Sequence, residues 1–217
     1  MTTWLVDAIL FDLDGTLVDS AGSVERSWRQ LAERIGRPWP EVQPHIHGVP
    51  VQQVMALLEP EMPAERVEEL RQFMVESEST DTVGVVAQPS AADVLAALPP
   101  DRVAIVTSGG VRLASSRIAA AGLPTPAVVV TADDVSVGKP DPAPYLMGAQ
   151  LLGFRPERCL VVEDAPAGVI SAKAAGCAVI GVLTTHAELD APTVRTLADV
   201  RFTPVDGGIE VAIADPD

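Results

Sequence analysis

Apolar residues fall along this chain in two different rhythms. Val6 to Phe11 is a short continuous apolar run that ends at Asp12-Leu-Asp-Gly, and it reads as a buried strand. Ser20 is placed to cap a helix running to about Ile35, with Trp28, Leu31 and Ile35 at helical spacing and Arg26, Arg29 and Glu33 off that stripe. Pro38, Pro40 and Pro44 interrupt the chain; Val51 to Leu58 and Pro63 to Glu78 follow as two further helices, the second with Val67, Leu70 and Met74 on its apolar face. No strand-like run occurs between about Ala21 and Ser79.

Beyond Thr80 the rhythm changes. Helices over Ala91 to Leu98, Val111 to Ala121, Pro142 to Leu152 and Ala167 to Ala175 alternate with β-branched runs. Those runs are Val103-Ala-Ile-Val-Thr, Ala127-Val-Val-Val-Thr, Cys159-Leu-Val-Val-Glu and Ala178-Val-Ile-Gly-Val. Runs apolar on both faces, separated by helices, predict a parallel α/β sheet. The tail from Asp199 to Ile213 adds a last strand and an edge hairpin around Gly207-Gly208. The chain therefore reads as one α/β domain (1–18 and 83–217) interrupted after its first strand by an all-helical insertion (19–82). The connections at Val18 to Ser20 and Asp81 to Ser90 are candidate hinges.

Length fits this organisation, since 217 residues allow one domain with an insertion. A composition of 47% hydrophobic and 21% charged residues supplies a core and excludes a disordered chain. Thirty acidic side chains against 15 basic ones give a net charge of −15, which argues against nucleic acid or an anionic membrane as partner. The same charge repels any anionic substrate unless something local offsets it. No apolar stretch approaches the ~18 residues of a membrane span, and the N-terminus lacks the basic segment of a secretory signal. Cys159 and Cys177 sit in apolar runs without a CxxC pairing, which reads as buried free thiols in a reducing cytoplasm.

Open parallel sheets carry their sites beyond the carboxyl ends of the strands. Four such ends hold unusual residues here. Asp12-Leu-Asp14-Gly15-Thr16 puts two carboxylates just off a buried strand, where a cation relieves their repulsion; the alternative is an Asx turn. Thr107-Ser108-Gly109-Gly110 offers hydroxyls and exposed N–H groups to an anion, or is an ordinary helix cap. In Gly138-Lys139-Pro140-Asp141-Pro142 the prolines hold Lys139 in a stiff, extended loop. Glu163-Asp164 ends a fully apolar strand; the pair suits a hard cation, while Asp164 alone could cap the helix begun at Pro166. Together they form one constellation suited to phosphoryl transfer, with an Asp nucleophile, a neighbouring acid–base, Mg²⁺ and a fixed lysine.

This set, in this order, resembles the haloacid dehalogenase superfamily, specifically its phosphatases with a helical cap inserted after the first motif. The resemblance implies a Rossmann-like sheet of order 5-4-1-2-3. It implies Asp12 as nucleophile, Asp14 as general acid–base, Ser108 with Thr107 and Gly109 as phosphate binders, and Lys139 as charge stabiliser. It further implies Mg²⁺ held by Asp12, the Asp14 carbonyl and Asp164, with Glu163 at the metal shell. His47-Gly48 in the cap, VTSGG, KPDPAPYLMGAQLLG and VVEDAPAGVISAKAAG are similar to the sugar-phosphatase branch that includes the 2-deoxyglucose-6-phosphatases, so His47 and Gly48 become candidate substrate contacts. Val49-Pro50 stands where family members often carry a basic residue after the cap His-Gly, and Pro89-Ser90 where they often carry Pro-Gly. His45 and His47 lack further ligands for a metal site, and His186 reads as an exposed loop residue.

The expected function is thus an Mg²⁺-dependent, cytoplasmic, monomeric phosphatase of a small phosphorylated sugar or polyol. The alternative is a β-phosphoglucomutase-like isomerase on the same core. It lacks support in Ala21 to Val24, which has no His, and in Gly48 to Gln52, which has no Arg to grip a second phosphate. A dehalogenase leaves Asp14 and Glu163-Asp164 without purpose, and a non-catalytic scaffold does not require all the motif acids.

Overall fold

The computed structural model describes residues 1–46 and 50–214. It separates into two compact units, Met1–Asp19 with the residues from Val86 onward, and Ser20–Val85. In chain order the first unit opens with β1 (Thr2–Val6), β2 (Ala8–Phe11) and β3 (Val18–Asp19). The second contains α1 (Ala21–Ile35), α2 (Trp39–Val42), α3 (Val51–Leu58) and α4 (Ala64–Thr80). The first then resumes with β4 (Val86–Ala87), α5 (Ala91–Ala97), β5 (Val103–Val106), α6 (Val111–Ala120), β6 (Val128–Val130), α7 (Ala143–Leu152), β7 (Cys159–Glu163), α8 (Pro166–Ala174), β8 (Ala178–Val182), β9 (Thr193–Val194), β10 (Val200–Val205) and β11 (Gly208–Ile213).

The main sheet has six parallel strands in the order β6-β5-β2-β7-β8-β9. Every residue of β2, β5 and β7 is buried, which is why these runs are apolar without alternation. Helix α7 covers β2, β5 and β6, and Tyr145 of that helix lies fully buried among Leu10, Val106, Val130 and Val161. Beyond the expected strands the sheet gains β9, a two-residue strand with no apolar run to announce it.

The reading of Val6 to Phe11 as one strand does not hold. The chain breaks at Asp7. Its N–H donates to the Arg158 carbonyl at 2.6 Å, its carbonyl accepts from Arg102 Nη1 at 2.8 Å, and its carboxylate takes Arg158 Nη2 at 2.7 Å. The Arg158 guanidinium holds the Asp7 carboxyl below its ordinary range. This corner turns β1 away into a second sheet, antiparallel, of order β1-β11-β10. The predicted tail hairpin at Gly207-Gly208 is the β10–β11 connection.

Within the helical unit, α1 and α3 both pack on α4. Trp28, Leu31, Val54, Met55, Leu70 and Met74 form a core of its own. The stripes read from spacing supply these residues, although Ile35 and Val67 are only partly buried. Where α4 ends, Arg26 grips the Asp81 carboxylate through two bonds, at 2.6 and 2.9 Å, and the Val83 carbonyl at 2.6 Å. None of the helices among the described residues is long and apolar enough to cross a membrane.

Two separate cores predict separate local stabilities. Leu31→Ala, which empties a fully buried position in the helical core, should cost that unit about 2–5 kcal/mol. Native-state hydrogen exchange should show lost protection in α1, α3 and α4 with β2, β5 and β7 unchanged. An equal loss in both units would contradict it.

Candidate active site

The parallel register builds the site. Phe11 lies opposite both Ile105 and Val162, so β2, β5 and β7 end side by side. The Asp12 N–H donates to the Val162 carbonyl at 2.9 Å, setting Asp12 beside the end of β7. Lys139, from the loop between β6 and α7, reaches into this edge with its side chain only 4% exposed. Its Nζ donates to Asp12 Oδ1 at 2.6 Å, Glu163 Oε1 at 2.7 Å and the Val106 carbonyl at 2.9 Å. Three protons meet three acceptors, so the buried ammonium is fully satisfied.

Glu163 is equally saturated. Its Oε1 also accepts from the Tyr145 hydroxyl at 3.0 Å, and its Oε2 accepts from the N–H groups of Asp164 and Ala165 at 2.8 and 2.9 Å. The carboxylate lies flat against α8 because residue 168 is glycine: a Cβ there falls 1.6 Å from Glu163 Oε1.

Asp164 does not cap α8, whose N-cap position belongs to Ala165. Its carboxylate instead accepts from the Thr185 hydroxyl and, more weakly, from Thr16 Oγ1 at 3.5 Å. His186 is not a free loop residue either; it is partly buried, with Nδ1 3.1 Å from the Asp164 carbonyl. The β2 loop closes on this carboxylate at Gly15, which has φ +88° and where a Cβ would sit 2.0 Å from Asp164 Oδ2.

Oxygens of Asp12, Glu163 and Asp164 all lie within 4.8 Å of one another, and all three residues are buried. Burial pushes the Asp12 carboxyl well above its usual range; Lys139 opposes this and the two neighbouring carboxylates reinforce it. Burial, with Glu163 beside it, pushes Asp164 up to about 7. For Lys139, burial favours the neutral form, but Asp12 and Glu163 outweigh it and hold the amine charged well above its ordinary range. Three acidic side chains crowd one ammonium, so each opposes ionisation of the others. The donors are all carboxyl oxygens, a set that fits a hard divalent cation such as Mg²⁺, whose charge would favour their ionised forms.

The Asp14 carboxylate stands apart from this cluster and pairs with Arg117 Nη1 at 2.5 Å. Thr107 is buried at the end of β5 and Ser108 is exposed. Part of the expected anion cradle is already engaged. The Gly109 N–H donates to Thr107 Oγ1 at 3.0 Å, and the Val111 N–H at the start of α6 donates to Asp133 Oδ2 at 2.8 Å. A carboxylate thus holds the helix start, which leaves the Ser108 segment as the open part of the loop. His47 and Gly48 lie outside the described residues. Sequence reasoning missed Arg117, Tyr145, Thr16 and Thr185. Arg117 had a signal: it falls with Ala114 and Ile118 on the inward stripe of α6.

A family model described as haloacid dehalogenase-like hydrolase matches residues 6–176. The chain belongs to that family. It is 47% identical over 192 residues to hexitol phosphatase A of Escherichia coli K12, covering 84% of each chain. It is 32% identical to glycerol-1-phosphate phosphohydrolase 1 of Saccharomyces cerevisiae, over 83% of this chain and 76% of that one. Among solved structures, a hydrolase from Pseudomonas syringae superposes with a TM-score of 0.73 at 26% identity, covering 86% of this chain and 94% of that one.

The carboxyl of Asp164 ionises near 3.8 ordinarily and near 7 in the fold. Folding takes up a proton between those values, so stability falls as pH rises through that window. In chelator, Asp164→Asn should therefore raise Tm relative to wild type, and by more at about pH 8 than at about pH 5. A pH-independent difference in calorimetry would refute this.

Proposed function

We propose that this hydrolase is a phosphomonoesterase of small sugar or polyol phosphates that works through an aspartyl-phosphate on Asp12. The supporting observation is the buried Asp12 carboxylate, held by Lys139 at 2.6 Å beside Asp164 in an all-oxygen cluster. The polyol preference draws on the hexitol phosphatase and glycerol-1-phosphate phosphohydrolase relatives. Mg²⁺, when held by Asp12, the Asp14 carbonyl and Asp164, supplies positive charge against the phosphoryl oxygens.

The rest follows from the chain's own groups. Lys139 orients Asp12, favours its ionised form against the burial that opposes it, and offsets charge on the transferring group. Ser108, exposed in the loop whose Thr107 hydroxyl and Gly109 N–H already bond each other, binds the phosphoryl oxygens. An Asp12 oxygen attacks phosphorus as the ester P–O bond breaks. The bond's electron pair goes to the ester oxygen, which takes a proton from the Asp14 carboxyl and leaves as an alcohol. Asp14, now a carboxylate, takes a proton from water as the water oxygen attacks phosphorus. The bond from phosphorus to Asp12 breaks, and phosphate is released. Glu163 has no oxygen to spare for a metal, since four donors already occupy it; it orients Lys139 instead. We assign the inserted helical unit to substrate selection as the cap. The net charge of −15 is no obstacle, because charges beyond ~8 Å are screened at physiological salt. Two free buried thiols suit a cytoplasmic setting.

Phosphate release from a hexitol phosphate should disappear in Asp12→Asn, by about 10³-fold or more; near wild-type turnover would refute the nucleophile. Chelation should reduce the wild type to background and added Mg²⁺ should restore it, as read by the same phosphate assay. Activity that survives exhaustive chelation would remove the metal from the proposal.

A further inference from the structure

Helix α6 turns a basic residue inward. Its buried positions are Ala114, Arg117 and Ile118, one stripe at i, i+3 and i+4. Two of these are ordinary core residues, while the third is a guanidinium. A charge on a core-facing stripe is costly unless it meets an opposite charge. Arg117 meets the Asp14 carboxylate, with Nη1 to Oδ1 at 2.5 Å. The arginine side chain is 4% exposed and that of Asp14 27%, so the pair is closed on the helix side and open on the acid's side.

Asp14 sits in a turn already fixed by its backbone. The Gly15 N–H donates to the Val18 carbonyl at 2.8 Å, and the Leu17 and Val18 N–H groups both donate to the Leu13 carbonyl at 2.9 Å. These bonds place the main chain. Lys139 does not restrain the carboxylate, because its three protons go to Asp12, Glu163 and Val106. A restraint comes from Arg117 on α6, the helix that follows the Thr107-Ser108-Gly109 loop. One rigid element therefore carries both the phosphate-binding loop and the tie on Asp14.

We propose that Arg117 is a positioning residue for the proton transfers of this enzyme, aiming the Asp14 carboxyl at the leaving-group oxygen. This rests on the phosphatase reading above. Arginine does not give up its own proton in a protein, so it orients the acid without competing as a donor. Orientation matters most where the departing oxygen must be protonated. An alkyl phosphate expels an alcohol that needs the proton as the P–O bond breaks, whereas p-nitrophenyl phosphate expels a stabilised phenolate that needs little help. A purely structural ion pair makes no such distinction.

The test compares kcat/KM, which reports the steps through loss of the leaving group, for glycerol 1-phosphate and p-nitrophenyl phosphate. In Arg117→Met the ratio of alkyl to aryl kcat/KM should fall roughly 10- to 100-fold, the scale of a misplaced general acid. Arg117→Lys keeps the charge without the fork and should lower the ratio by a smaller factor, which preserves the test if the methionine variant folds poorly. Asp14→Asn should lower the ratio at least as far, and the Asp14→Asn, Arg117→Met double variant should go no lower than Asp14→Asn alone. Equal losses on the two esters, or losses that multiply in the double variant, would overturn the positioning role while leaving the phosphatase reading intact. A wild-type chain that cleaves neither ester would overturn both.

Discussion

A buried ammonium with three acceptors governs this molecule. Lys139 cannot be solvated where it lies, so the surrounding structure must supply a carboxylate from β2, a carboxylate from β7 and a carbonyl from β5. Each demand fixes something else. Glu163 must lie flat, which requires glycine at 168 and a hydroxyl from Tyr145 on α7. Asp12 must follow its strand in register with Val162. A buried ion pair of this kind gains little stability over an apolar replacement. What it gives here is placement of one carboxylate oxygen at the edge of a sheet.

The same edge is electrostatically overloaded. Asp12 and Asp164 are both pushed towards their protonated forms by burial and by carboxylate neighbours. A core built for stability alone would relieve this with one Asn. Such a conflict at the carboxyl ends of parallel strands is where functional sites are ordinarily built. Asp14 also bears on Asp164 but is itself paired with Arg117. Two carboxylates two residues apart thereby meet different cations, Asp12 the Lys139 ammonium that it shares with Glu163 and Asp14 the Arg117 guanidinium.

How much of this was legible depended on how loudly each residue broke its local pattern. Asp12, Glu163 and Asp164 end apolar runs, and Lys139 sits between Gly138 and Pro140, so each stands out from its neighbours. The alternating strands and helices were legible for the same reason, because continuous β-branched runs have little use outside a sheet buried on both faces. Arg117 was passed over although it shares the inward stripe of Ala114 and Ile118, because α6 also carries Arg112 and a basic residue on a helix is ordinarily a surface one. Tyr145 was hidden in a helix whose apolar residues read as packing. The break at Asp7 could not be read because what makes it, Arg158, lies far along the chain. Asp164 was open to a capping role until Thr185, on the loop after β8, was seen to claim its carboxylate. In each of these misses the deciding partner comes from a distant element, and local spacing does not name it.

The antiparallel sheet has a consequence for the order in which the protein can form. Thr2 on β1 pairs with Ile213 on β11, so the first strand finds its partner at the far end of the chain. During synthesis the helical unit has all its residues once Val85 has emerged, and its contacts are local. The antiparallel sheet of the other unit cannot close until Ile213 is available. A growing chain thus carries a finished insertion on an unfinished host, and β1, with Leu5 largely exposed even in the fold, waits unpaired through that interval. This makes the leading strand, not the acidic edge, the segment most in need of protection while the chain is being made.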